Sequence, residues 1–169
     1  MIIENTLNSL MNFIPEIILF IMSMIVLLAG TFRFSTKYVF HITLLSVVIA
    51  LLLSFQNYAV NASLLFNSSI IKSNVTDFFK YVCYFIFLVQ ILISRNYLVD
   101  KKLASGEFYS LLLFALLGCF VIISSNNLIV LFLGIELSSL SLYSLIALNS
   151  KRLTQKQKPK QHRRPFNTH

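Results

Sequence analysis

Five long apolar runs decide what this chain can fold into. They cover residues 14–32, 38–55, 78–94, 108–125 and 128–148, and each holds 17 to 21 residues. At about 1.5 Å per helical residue the longer runs cross the bilayer core of about 30 Å. The shortest, 78–94, is thin but workable if Lys80 and Arg95 at its ends snorkel to the interfaces. Backbone polar groups left unpaired in lipid are costly, so helices are the natural form. No period-two alternation runs through these segments, which argues against an outer-membrane barrel. Charged residues make up only 12% of the chain, about half the share of a soluble domain. The fold expected is therefore an all-α membrane protein of about five transmembrane helices.

The first run follows an acidic, Asn-rich start with no basic residue, so it reads as a retained helix and not a cleaved signal. Pro15 and Glu16 suit its first turn, where proline loses no needed donor and glutamate meets the positive dipole end. Glu16 accordingly reads as a capping residue. Cys83 and Cys119 are single cysteines in different helices without metal-ligand spacing, and read as small apolar fillers. His41, early in the second helix, reads as an interfacial residue before it reads as a proton relay.

Five spans place the termini on opposite sides. Arg33, Lys37, Arg95, Lys101, Lys102 and seven basic tail residues fall on one side, and only Lys72 and Lys80 on the other, twelve against two. The positive-inside rule then puts the N-terminus outside and the C-terminus inside, in the cytoplasm or an organelle matrix. The outer loop 56–77 carries three N-glycosylation patterns, at Asn61, Asn67 and Asn74, which read as chance matches in an Asn- and Ser-rich chain. Residues 124–127, Ser-Ser-Asn-Asn, read as a tight turn that makes helices four and five a close antiparallel hairpin.

The last 20 residues, 150–169, are polar, basic and hold Pro159 and Pro165, so they are expected to be disordered alone. They read as a solvated end that fixes topology, with anionic lipid or an acidic protein partner as a further contact. No aromatic interleaving supports an RNA site, and no nucleic-acid partner is expected. Three segments follow: 1–106 with three helices, 107–149 with two more, and the 150–169 tail.

Chemistry concentrates in the fifth run. Glu136 sits near its middle and is its only charge. A charge at that depth costs about 2.5–3.5 kcal/mol on insertion scales. A chain that keeps it pairs it or moves protons with it. Helical spacing places Ser139 one turn and Tyr143 two turns beyond Glu136 on the same face, in reach as hydrogen-bond partners. Gly134 and Ser138 form a small-xxx-small pair, so the helix is expected to pack inside a bundle. No lysine lies in the apolar core of the five runs, which leaves Glu136 protonated, unpaired, or paired with another polypeptide.

The segment Asn127-Leu-Ile-Val-Leu-Phe-Leu-Gly-Ile-Glu136-Leu-Ser-Ser-Leu-Ser-Leu-Tyr143 resembles the fifth helix of NADH dehydrogenase subunit 2, called subunit N in bacteria. That family is an antiporter-like membrane subunit of respiratory complex I. Phe13-Ile-Pro-Glu-Ile17 is similar to the family's first helix. The resemblance implies a fold of about fourteen helices with two inverted five-helix repeats, of which this chain would hold the first three helices and two of the first repeat. It implies that Glu136 pairs with a lysine on helix seven and belongs to a proton path. It also implies other complex I membrane-arm subunits and a second polypeptide, carrying the missing helices, as partners. No cofactor is expected in this chain, while the whole complex would use NADH, FMN, iron–sulfur clusters and ubiquinone.

The composition, rich in Phe, Ile, Asn and Ser, and the implied split gene favour the mitochondrial inner membrane. Two other function classes fit the same residues. A subunit of a cation/proton antiporter shares the helix-five glutamate, and a structural membrane-assembly protein would keep Glu136 merely hydrogen-bonded.

Overall fold

The computed structural model describes residues 13–32, 36–56, 63–66, 68–100 and 106–157. Five of its helices are long and apolar enough to cross a membrane. In chain order they are α1 (Ile14–Thr31), α2 (Thr36–Gln56), α3 (Asn74–Asp100), α4 (Gly106–Ser124) and α5 (Leu128–Gln157). Between α2 and α3 lies a short antiparallel hairpin, β1 (Ser63–Leu65) and β2 (Ile70–Lys72), with Leu64 opposite Ile71.

Local chemistry sets the ends of these elements. α1 opens with Pro15 and Glu16 in its first turn. Ser73 and Thr76 cap α3 reciprocally. Thr76 N–H donates to Ser73 Oγ at 3.3 Å, and Ser73 N–H donates to Thr76 Oγ1 at 2.8 Å. At the start of α5, Asn127 Oδ1 accepts from the Ile129 N–H at 3.1 Å. Inside the helices, buried Thr43 and Ser46 return their hydroxyls to backbone carbonyls, at 2.8 and 2.7 Å, so neither is left unpaired in the bundle.

α4 is the centre of the bundle. Half of its spanning window is buried, against 11% for α5. Its Tyr109, Leu113, Leu116, Leu117 and Phe120 pack with Leu19 and Val26 of α1, Phe40 and Val47 of α2, and Tyr84, Phe87 and Ile91 of α3. Tyr84 and Phe120 meet edge-on at 4.6 Å, and Phe40 and Tyr109 at 6.0 Å. Lipid gives little hydrophobic drive for helix pairing, so close backbone approach has to hold the bundle. It occurs at two crossings. A Cβ on Gly30 of α1 would lie 2.5 Å from the Cα of Gly106 in α4. A Cβ on Gly118 of α4 would lie 2.7 Å from the Ser138 nitrogen of α5.

Four expectations are corrected below. Within the outer loop, Ser63–Leu65 and Ile70–Lys72 pair as a hairpin that the sequence analysis did not anticipate. Its turn places Phe66 and Ser68 at φ 50° and 65°. The third helix starts at Asn74, four residues before the apolar run, because the Ser73–Thr76 cap extends it. Lys80 therefore lies inside a span and does not snorkel; it is buried. α5 runs unbroken across position 150 to Gln157. It also lies at the edge of the bundle, against α4 on one face, where the reading above had it enclosed.

The tight turn is as expected. Ser125 pairs with Ile70 of β2 in an isolated bridge. Asn126 donates to the Ser69 carbonyl at 3.0 Å and, through Nδ2, to the Ser68 carbonyl at 2.7 Å. The hairpin thus braces the α4–α5 turn. Arg33, Lys101, Lys102, Asn61, Asn67 and residues 158–169 lie outside the described residues, and of Lys37, Arg95, Lys151, Arg152 and Lys156 only the backbone is described.

Candidate functional site: Glu136 and a buried ion pair

Glu136 stands about 12 Å along α5 from Leu128, near mid-span. It is half-buried, beside the Gly118–Gly134 crossing that draws α5 onto α4. Among the described residues no basic side chain forms an ion pair with it.

The hydroxyls expected around it are otherwise engaged. Ser139 Oγ donates to the backbone carbonyl of Glu136 at 3.1 Å, not to the carboxylate. Ser138 and Ser141 make the same kind of bond, to Ile135 and Leu137, at 2.9 and 2.7 Å. A helix interior offers such hydroxyls a carbonyl within one turn, and in low dielectric that bond wins. Tyr143 is 67% exposed on the open face of α5. Glu136, between buried Gly134 and exposed Leu140 and Tyr143, lies at the border of the α4 contact. A groove of about 410 Å³ at the other end, lined by Leu27, Thr31, Glu107, Leu111, Ser144, Ala147 and Leu148, does not include it.

Sequence reasoning missed a second constellation at the hairpin end. Lys80 Nζ of α3 donates to Glu16 Oε1 of α1 at 2.6 Å, and both side chains are at least nine-tenths buried. Lys72 of β2 and Asp77 of α3 are buried with them. Glu16 is therefore half of an interhelical ion pair and more than a cap. Burial pushes the Lys72 ammonium below its ordinary range; Asp77 and Glu16 oppose that shift and Lys80 adds to it. The available signal was depth. α1 and α3 start at the same end of the bundle, and Glu16 in the first turn of α1 comes level with Lys80 in the second turn of α3.

His41 is exposed on α2, edge-on to Phe40 at 5.5 Å, away from both sites. Cys83 and Cys119 are half-buried free thiols.

No protein-family model matches the chain. A protein of Nitrosomonas europaea named NADH-quinone oxidoreductase subunit N is 37% identical over 136 residues, which is 79% of this chain and 28% of that protein. The chain is homologous to part of subunit N. A second subunit N, from Hydrogenovibrio crunogenus, is 36% identical over 140 residues, 80% of this chain and 29% of its own. The subunit N of Thioalkalivibrio sulfidiphilus is 44% identical over 84 residues, half of this chain and 18% of its own. The chain spans under a third of the length of the curated subunit N relatives it matches.

Proposed function

We propose that this chain is the first five helices of a subunit-N-type module in a proton-translocating NADH:quinone oxidoreductase, and that Glu136 is a carboxylate of its proton path. The observation that carries the reading is the placement of Glu136. It is mid-span and half-buried, held by a glycine crossing, and without a cation among the described residues. Such a charge calls for a partner from outside the described helices, on the open face of α5. The subunit N relatives are more than three times longer than the matched stretch, and further helices of that kind would supply the cation.

The orientation that goes with this reading is N-terminus outside and C-terminus inside, supported by twelve basic residues against two. Other membrane-arm subunits of complex I and the lipid bilayer are the partners, with anionic lipid at the basic tail. NADH, FMN, iron–sulfur clusters and ubiquinone belong to the rest of the complex, and this chain's part is proton movement. The matched relatives are bacterial, which points to an energy-transducing plasma membrane. Composition alone supports the mitochondrial inner membrane.

The test is to purify the native complex in mild detergent and identify every co-purifying polypeptide by mass spectrometry. Flavin and iron–sulfur subunits are expected. The mass of the subunit bearing Glu136 tells whether the further helices continue this chain or form the expected second polypeptide. Co-purification with antiporter-like chains only, or with no large partner, overturns the redox-pump reading.

A further inference from the structure

The chemistry that Glu136 does not use lies at the hairpin end. Glu16 from α1, Lys72 from β2, and Asp77 and Lys80 from α3 are each at least nine-tenths buried. They come from three elements at one end of the bundle, with Lys80 Nζ on Glu16 Oε1 at 2.6 Å and Lys72 at the end of the strand that leads into α3. Two carboxylates and two amines are neutral together when equal numbers of each are ionised, so net gain or loss of one proton changes the field of the whole cluster.

Two details set the cluster apart from a static staple. Glu16 Oε1 accepts from Lys80, but Glu16 Oε2 is fully enclosed and has no hydrogen-bond partner among the described residues. A carboxylate accepts on both oxygens, and a buried acceptor without a donor is costly. That oxygen is therefore available to a proton donor, water being the smallest. The second detail is the position of Lys72. It sits on the strand that roofs the bundle, next to Ser73 and the start of α3, while Lys80 lies about two turns down that helix. The cluster thus spans from the roof to the interior. Tyr81 and Tyr84 are the titratable groups that follow Lys80 along α3, and both reach Ser54 of α2, at 2.9 Å to its carbonyl and 3.4 Å to its hydroxyl. From α4, Ser124 is buried at the same end.

We propose that Lys72 and the Glu16–Lys80 pair form a second protonatable site, which passes a proton between the bundle interior and the aqueous phase over the hairpin. Lys72 gives its proton to a water on the hairpin side and takes one from Lys80, and the Glu16–Lys80 pair takes its replacement from a water on the interior side, at Glu16 Oε2. Only N–H and O–H bonds change. Burial lowers the proton affinity of Lys72, which eases the release. The proposal rests on the proton-transport reading above and adds a site remote from Glu136.

The native complex, reconstituted in lipid vesicles, tests it through proton transport as a function of pH on the hairpin face. Arginine keeps the charge of lysine but does not release its proton. Lys72→Arg and Lys72→Met are both expected to slow coupled transport about tenfold and to flatten the pH profile. Wild-type rate and profile in Lys72→Arg would mean that only the charge matters, and would overturn the proposal. Asp77→Asn removes a group that supports the Lys72 proton, so its profile shifts to lower pH; an unshifted profile overturns the proposal even if the Lys72 variants fail to assemble. Glu136→Gln in the same vesicles keeps the readings apart. Transport lost there but normal in Lys72→Arg and Asp77→Asn sinks this inference alone, whereas transport intact in Glu136→Gln sinks the Glu136 reading.

Discussion

Lys80 Nζ of α3 lies 2.6 Å from Glu16 Oε1 of α1, inside the apolar bundle. The two helices start at the same end, and this pair is a polar tie between them. Removing one partner leaves the other charge buried and unpaired, at a cost of about 3–5 kcal/mol. Lys80→Met is therefore expected to lower the thermal stability of the assembled protein strongly. The double variant Glu16→Gln/Lys80→Met is expected to be less harmed than Lys80→Met, because no charge is then stranded. Detergent-solubilised unfolding curves for the three proteins check it.

The α4–α5 hairpin depends on Gly118. A methyl group there would meet the Ser138 nitrogen at 2.7 Å and its Cβ at 2.9 Å. Backbone must move to admit it, since no flexible side chain can yield. Gly118→Ala is expected to cost about 1–3 kcal/mol, the usual range for overpacking. Disulfide cross-linking between cysteines introduced on the facing sides of α4 and α5 should slow as the helices separate.

Gly30 and Gly106 make the corresponding contact between α1 and α4. Gly30→Ala is expected to destabilise by a similar amount, about 1–3 kcal/mol. Leu28→Ala, two residues away on a 55% exposed position, is the comparison and is expected to change little in lipid, where no packed neighbour is lost. Equal effects of the two substitutions in a thermal-shift assay would contradict the crossing.

Lys72 gives a pH dependence of known sign. Its folded-state proton affinity is lowered from the ordinary 10.5. Between the folded and unfolded values the unfolded chain binds more protons, so stability rises with pH through that window. Below the lower value both states are protonated and the cost of burying the charge is fully present. Unfolding followed from neutral to alkaline pH is expected to show a rise in stability that Lys72→Met largely removes.

Much of this fold can be read from residue order. The five spans follow from run length alone, and Gly134 with Ser138 marked the face on which α5 meets α4, where Gly118 is found. The turn at 124–127 follows from four small polar residues between apolar runs. The hairpin was not legible, because three-residue strands carry almost no periodicity and are held by Asn126 and Ser125 from elsewhere in the chain. The Glu16–Lys80 pair was not legible either. Each residue alone has an adequate local explanation, a cap and a snorkel, and only the parallel course of α1 and α3 brings them together. The edge position of α5 escaped for a different reason: its composition matches that of the enclosed helices, and lipid-facing and protein-facing leucines look alike in lipid.

The central claim is that Glu136 carries protons in a quinone-reducing complex. The most direct measurement is coupled proton transport per quinone reduced, in vesicles holding the native complex with Glu136→Gln. Glutamine keeps the shape and the hydrogen bonds but cannot ionise. The account predicts an assembled complex whose proton transport falls by about tenfold or more. An assembled Glu136→Gln complex that moves protons as the wild type does would contradict it.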